Sequence, residues 1–398
     1  MRKSIIQTVL FILIAFVSIN SYAQEPVFSQ YNLNPIIMNP SLAGINNQWS
    51  LYANLRQQWP SLTSKFLTNS ISFDTPLNNS FSSSVSFLKN SEGEGFLTSE
   101  YFRSSVSHEI VKLKNKNDLN FTIRIGMEYQ YYRRYIDWSR LVFLDELHPI
   151  HGDIYSTSFI IPQEFTRTVN NNFNLGSIIT LQNKEGNKSK LNKYLIMGAS
   201  VHNVIKRSDA FIFDNYFIPR KYTIHGDFWW NKNSFKRLSI IKQSFFYQQQ
   251  NVFRTLQIGL FETEFQSNPL IFGAFYRSQG ILIDNDNDTF ESLYFKVGFR
   301  HISKKYNLGI KICYSRDFTI SELRNNTNGI NELVLKIHSL RYGIFMNEEK
   351  ERRKKITNNI KSSCQFYSDC DYNGNLHDGN FSPVIDKQSS DGLFRIKN

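Results

Sequence analysis

Tyr222-Thr223-Ile224-His225-Gly226-Asp227-Phe228-Trp229-Trp230 decides the fold class. Tyr222, Ile224, Gly226, Phe228 and Trp230 share one face of an extended chain, while Thr223, His225, Asp227 and Trp229 share the other. The same period recurs. Phe121, Ile123, Ile125, Met127 and Tyr129 oppose Thr122, Arg124, Gly126, Glu128 and Gln130, and Leu293, Phe295, Val297 and Phe299 oppose Tyr294, Lys296, Gly298 and Arg300. A soluble sandwich also alternates, but here about a dozen aromatic-rich segments with charge on the polar face follow an export signal. That combination predicts a barrel whose apolar face meets lipid.

The expected leader is residues 1–23. Arg2 and Lys3 precede an apolar run from Val9 to Val17, and Ser21-Tyr22-Ala23 places small residues at both recognition positions, so cleavage is expected after Ala23. No cysteine follows the cut to carry a lipid anchor. Beyond it no run of 18 apolar residues occurs, which excludes a bundle of membrane-spanning helices. The slightly negative mean hydropathy does not argue against a membrane, because barrel strands conceal their apolar face in alternation. Aromatic residues make up 15% of the chain, with 34 Phe and 20 Tyr, a composition suited to strands and interfacial girdles. The formal charge of +12 is spread over turns and alternate strand positions, which argues against a nucleic-acid footprint.

Fourteen strands are predicted, near 49–57, 68–74, 82–90, 99–113, 119–135, 172–182, 194–204, 220–231, 237–249, 253–265, 269–278, 291–302, 306–317 and 329–341. The fold expected is therefore an all-β transmembrane antiparallel β-barrel over residues 49–341. Links after even-numbered strands are mostly short, such as Lys114 to Asp118 and Ser303-Lys304-Lys305. Links after odd-numbered strands are mostly long, as at 136–171, 205–219, 279–290 and 318–328. Short periplasmic turns and long external loops are the barrel pattern, and they set both termini in the periplasm of an outer-membrane protein. The links near 182–193 and 249–253 fit this parity poorly. Residues 342–398 form a polar tail, expected to be periplasmic, whose run Glu348 to Lys355 reads as a solvated helix or a docking element.

Residues 24–48 precede the barrel. Asn34-Pro35 and Asn39-Pro40 disfavour helix before each proline and remove two amide donors, so the segment is expected to be extended at the periplasmic mouth. It reads either as a partial plug of the lumen or as a lead-in turn.

No nucleophile elbow, phosphate-binding loop or zinc pair on a helix is present, and no catalytic residues are assigned. Asp145, Glu146, His148, His151 and Asp153 cluster in the longest loop; such residues can ligate a transition metal, but a solvated loop is the simpler reading. Asp369, Asp371 and Asn373, followed by Gly374 and Asp378, resemble the start of a calcium loop, though its twelfth position is Asn380. No cofactor is expected apart from the calcium that this stretch of the tail could hold. Asp284, Asp286 and Asp288 alternate at a loop tip. Cys364 and Cys370 suit a disulfide in an oxidising compartment, and Cys313 is expected to face the barrel interior unpaired.

Several motifs resemble the PorP/SprF outer-membrane proteins of the type IX secretion and gliding machinery of Bacteroidetes. They are Glu25 to Tyr31, Asn34-Pro35 and Met38 to Gly44, then Arg56 to Trp59, Phe73 to Leu77, Ile136 to Leu141, Gly198 to Asn203 and Thr327-Asn328-Gly329. The resemblance covers about 25 to 340; His202, Ser41-Leu42 and the long tail depart from it. It implies a non-enzymatic barrel that assists secretion or surface attachment of adhesin-type cargo. The implied partners are outer-membrane lipid, the C-terminal domain of a secreted adhesin and periplasmic secretion-motor components. Phe211, Phe213, Tyr216 and Phe217 in the 205–219 loop are candidate partner-binding residues. A passive porin is the alternative, because Arg56, Arg124, Glu128, Lys296, Arg300, Lys311 and Lys336 would also suit a polar pore. A lipid-modifying barrel enzyme stands third.

Overall fold

The computed structural model describes residues 25–340 apart from 63–65, 94–96, 115–118, 139–140, 149–151, 154–155, 159–166, 184–192, 209–216, 231–237, 266–268, 282–289, 304 and 321–327. Fourteen antiparallel strands close into a barrel. They are β1 (Ser50–Gln58), β2 (Phe66–Pro76), β3 (Phe81–Glu92), β4 (Leu97–Lys114), β5 (Leu119–Tyr135), β8 (Arg167–Asn183), β9 (Lys193–His202), β10 (Lys221–Trp230), β11 (Leu238–Gln250), β12 (Phe253–Phe265), β13 (Leu270–Ile281), β14 (Phe290–Ser303), β15 (Leu308–Thr319) and β16 (Ile330–Ser339). Two-residue strands β6 (Leu147–His148) and β7 (Gly152–Asp153) pair in the connection after β5. Each barrel strand pairs with its sequence neighbours, and β1 meets β16 with Ser50 opposite His338 and Gln58 opposite Ile330. Closure leaves no free sheet edge.

Strands β4 and β8 extend past their expected ends. Alternation continues there with polar residues on both faces, so hydropathy alone gave no signal; the register to β5, from Leu119 opposite Asn183 to Tyr135 opposite Arg167, shows it. Longer connections, 136–166 and 203–220, lie at one end, called here the loop mouth. At the other, the turn mouth, β1 starts, β16 ends and connections such as 77–80 and 304–307 are short. The exceptions at the loop mouth are 93–96 and the tight turn Asn251-Val252, where Asn251 takes a φ of 53°.

The barrel is apolar outside and polar inside. Ile125 and Met127 are 46% and 57% exposed, whereas Arg124, Glu128 and Gln130 between and beside them are buried. In β10, Tyr222 and Ile224 face out while Thr223, His225 and Asp227 face the lumen. Outward Phe295, Val297 and Phe299 alternate with inward Lys296 and Arg300 in the same way. Cys313 is buried on the lumen side, as its strand position predicted, and no disulfide includes it among the described residues.

Candidate functional site in the lumen

Residues 25–48 lie inside the barrel, and almost all are buried. The segment is a strap running the length of the lumen. Glu25 is at the loop mouth, where its backbone N–H donates to Gln250 at 2.9 Å and its carboxylate accepts from Asn203 at 2.7 Å. Lys221 donates to the same carboxylate, and Arg103 lies 3.8 Å from it. Lys221 and Gln250 are paired at the loop-mouth ends of β10 and β11. The strap leaves at the turn mouth, where Ser339 N–H donates to the carbonyl of Trp49 just before β1.

Near the loop mouth, acidic wall residues hold the strap backbone. Glu332 accepts from the N–H groups of Ser29 and Gln30 at 2.7 and 3.0 Å, and Asp317 accepts from the Ser29 hydroxyl at 3.1 Å. Tyr294 and Gln257 donate to the carbonyls of Ser29 and Phe28. The acids are themselves held by cations. Arg277 pairs with Asp317 at 2.6 Å, Lys296 with Glu262 at 2.6 Å, and Arg56 with Glu332 at 3.9 Å. Glu262 in turn accepts from the Asn32 amide at 2.8 Å. Taking these charges from water is costly, and paired geometry with added hydrogen bonds is what makes it tolerable.

Toward the turn mouth the contacts are close and mostly neutral, with Arg124 and Asp74 as the charged partners. Both prolines start single turns of 3-10 helix, Pro35–Ile37 and Pro40–Leu42. Asn39 is extended, as a residue before proline should be, and its side chain accepts from the Ser41 N–H at 3.0 Å. Its amide donates to the carbonyls of Ser177 and Ala199, both at 3.1 Å. Met38 O accepts from Ser200 and lies 3.0 Å from the His202 ring, so the histidine that departs from the family motif faces the strap. Ala43 O accepts from both Ser107 and Arg124 at 2.9 Å, and Gly44 N–H donates to Asp74 at 2.6 Å.

Glycines in the wall make this fit possible. A Cβ on Gly126 would lie 2.3 Å from Ser41 N, and one on Gly176 would lie 2.0 Å from the Asn39 side-chain oxygen. Glycine inside a strand commonly marks such an approach of another backbone. Gly44 is required on a second ground, since its φ is +61°.

The strap also brings the lumen its apolar core. Val27, Tyr31, Met38, Leu42 and Ile45 pack with Ile178, Ile196 and Phe246, and Tyr31 stacks on Phe246 with ring centroids 4.7 Å apart. Phe28 packs with Leu88, Tyr101 and Tyr132, and Leu33 with Ile271, Cys313 and Val334. Fully burying a side chain such as Ile36 or Leu42 contributes about 1.5–3 kcal/mol.

The strap therefore does more than the sequence suggested. The sequence leaves residues 24–48 open between a partial plug of the lumen and a lead-in turn at its mouth; the strap runs through the lumen, and the described ends, Glu25 and Leu340, lie at opposite mouths. The opening Phe28-Ser29-Gln30-Tyr31 is bound along its backbone by wall acids far away in sequence, which no local pattern encodes. The interior glycines were the available signal.

The other candidates fare differently. Of the loop aromatics, Phe217 is exposed, bridges to Ser208 and lies under Lys206 with Nζ 4.0 Å from its ring centroid; Phe211, Phe213 and Tyr216 fall outside the described residues. Asn170 and Asn172 of β8 pin the base of that loop through Ser208 O and Ile205 O. Asp145 accepts from Ser158 N–H at 2.7 Å and from Thr157, so it closes the loop on itself. Glu146 accepts from Phe143 N–H, His148 is in β6 and Asp153 in β7, while His151 is outside the described residues. Among the described residues no group of three or more His, Cys, Asp or Glu is placed to hold a metal. Asp284, Asp286 and Asp288, the calcium-loop residues Asp369, Asp371, Asn373 and Asp378, and the Cys364–Cys370 pair all lie outside them.

Arg56, Arg124, Glu128, Lys296, Arg300, Lys311 and Lys336 all line the lumen, but around an occupied interior. Residues 20–337 match the family described as type IX secretion system membrane protein PorP/SprF. No curated protein matches the chain. Solved structures that resemble it include the NanC porin, at 9% identity and a TM-score of 0.32, covering 73% of this chain and 98% of the porin. A Pseudomonas aeruginosa FadL homologue has 11% identity and a TM-score of 0.34, with 75% and 89% covered. The Pseudomonas putida toluene transporter TodX has 8% identity and a TM-score of 0.34, with 80% and 95% covered.

Proposed function

Because this chain belongs to the PorP/SprF family of type IX secretion system membrane proteins, we propose that it is a non-enzymatic outer-membrane barrel that assists secretion or surface attachment of adhesin-type cargo. One observation carries the choice over a passive porin: the chain's own residues 25–48 fill the lumen and bond to its wall around the circumference. A diffusion pore needs an open path with weak sites along it. A lumen closed by twenty-four ordered residues of its own chain suits a barrel that works through its mouths and loops.

In this reading the loop mouth faces outward and offers the 205–219 loop to the C-terminal domain of a cargo protein, with Phe211, Phe213, Tyr216 and Phe217 as apolar anchors of the kind interfaces concentrate. The turn mouth and the 342–398 tail face periplasmic motor components, and the outward apolar belt of the strands meets outer-membrane lipid. Calcium bound by Asp369, Asp371, Asn373 and Asp378, together with a Cys364–Cys370 bond, would order that tail.

The test is deletion combined with reconstitution. Removing the protein should strip one or a few large proteins from the cell surface and leave small-solute uptake unchanged. Purified barrel in planar bilayers should show little steady conductance. Large stable conductance with unaltered surface cargo would replace the secretion reading by the porin.

A further inference from the structure

The strap's direction has a topological meaning. An even number of strands returns the barrel to the mouth at which it began, so β1 starts and β16 ends at the turn mouth. The strap then crosses the lumen once more. Its turn-mouth end is fixed by Gly44 on Asp74 and by Trp49 O on Ser339, and its far end by Glu25 on Lys221, Asn203 and Gln250. Lys221, Asn203 and Gln250 sit beside the 203–220 connection and are buried; Lys221, Asn203 and Arg103 face the Glu25 carboxylate, Gln250 accepts from its backbone N–H, and Arg103 also lies 3.8 Å from Glu128. With the leader removed after Ala23, Glu25 is the second residue of the chain.

We infer that the mature N-terminus is delivered through the barrel to the loop mouth, opposite to the C-terminal tail, and is latched there by the Glu25 carboxylate in a preformed cationic site. The site has the chemistry of a carboxylate receptor: one ammonium, one guanidinium and one side-chain amide converge on the carboxylate, and charge-assisted hydrogen bonds of this type are the stronger kind. The amide of Gln250 reads the backbone N–H of the same residue, so the pocket recognises both the side chain and the chain direction. The place of the N-terminus relative to the loops follows from the fold; its place outside the cell rests on the outer-membrane reading above.

The experiment uses the full chain with Cys364→Ser and Cys370→Ser, Cys313 being buried. Single reporter cysteines are placed by Pro26→Cys in the strap, Leu144→Cys at the loop mouth and Tyr306→Cys at the turn mouth; Leu144 is 88% and Tyr306 66% exposed. Intact cells and isolated, opened membranes are treated with a bulky maleimide, and heat-modifiable migration confirms that each barrel has assembled. Pro26→Cys should label with the sidedness of Leu144→Cys and opposite to Tyr306→Cys. Adding Glu25→Gln, or separately Lys221→Gln, should speed labelling at Pro26→Cys by roughly tenfold, the scale of one charged hydrogen bond, with Leu144→Cys unaffected. Labelling of Pro26→Cys together with Tyr306→Cys overturns the through-lumen course. An unchanged rate in both latch variants overturns the latch. If Leu144→Cys and Pro26→Cys both label only in opened membranes, the barrel's orientation in the proposed function is wrong and the course of the strap stands.

Discussion

The two halves of the strap are held by different physics. Between Glu25 and Asn32 the wall offers carboxylates, cations and a tyrosine hydroxyl, reached through single hydrogen bonds to backbone groups. From Asn34 to Gly44 it offers mainly serines, main-chain carbonyls and bare glycine backbone, with distances that leave no room for a Cβ, and charge only at the end, from Arg124 and Asp74. The first kind of contact is lost when one charge is removed. The second is a matter of shape, and close-packed shape does not yield by degrees. The lower half is thus a fixed root and the upper half a fastening.

The largest effect should come from breaking the root. Gly126→Val places side-chain atoms where Ser41 backbone lies, and neither can move far inside a closed barrel. Loss of heat-modifiable barrel is expected, whereas the same substitution at Gly93, where a Cβ meets nothing within 4 Å, should assemble despite its φ of +70°. Equal assembly of both variants would show that the root tolerates displacement.

Next is the contrast across a single peptide bond. Ile125→Arg puts a charge on the lipid face and should cost about 2–4 kcal/mol in a reversible folding assay if it sits at mid-depth. Arg124→Ile removes the donor to Ala43 O and Ser82, and should cost about 1–3 kcal/mol for the acceptors left without it. From sequence alone that inward change looks mild; the strap makes it a structural one.

A smaller and more local effect should separate the halves directly. Glu332→Gln keeps the shape but weakens the hold on the Ser29 and Gln30 amides, at about 1–2 kcal/mol. Hydrogen exchange should quicken at Ser29 and Gln30 while Gly44 stays protected. Uniform quickening along the strap would mean that it opens as one unit and that the division into root and fastening is false.

The smallest effect lies outside the barrel. The Ser158 backbone N–H and hydroxyl, with Thr157, hold the Asp145 carboxyl below its ordinary 3.8. A lowered carboxylate contributes order that is present above 3.8 and lost as pH falls below it. Protection of the Ser158 amide should fade on acidification, with no change at Gly44.

Alternation made the wall legible. Tyr222 to Trp230, Phe121 to Gln130 and Leu293 to Arg300 each state which side faces out, because period 2 is a local property. The strap is irregular, and its partners are scattered over the whole sheet; Asn34-Pro35 and Asn39-Pro40 announced where it turns but not where it goes. Of the glycines in strand interiors, Gly126 enters the sequence reading only through the alternation, Gly198 only through a motif, and Gly176 not at all. They mark where something must come close. The loop aromatics illustrate the opposite limit, since composition points to Phe211, Phe213 and Tyr216 without fixing their geometry.

The hydrogen bond from Ser29 N–H to Glu332 joins positions 303 residues apart. The earliest part of the strap thus waits for the last strand, and the cylinder has to be wrapped about a core that its own final staves complete. Contacts of such long range are slow to form, since the loop must close before they reward it. Until β16 arrives, the Ser29 and Gln30 amides and the edge of β1 are both unfinished, so one late event, the arrival of residues 330–339, seals the seam and completes the hold on the strap.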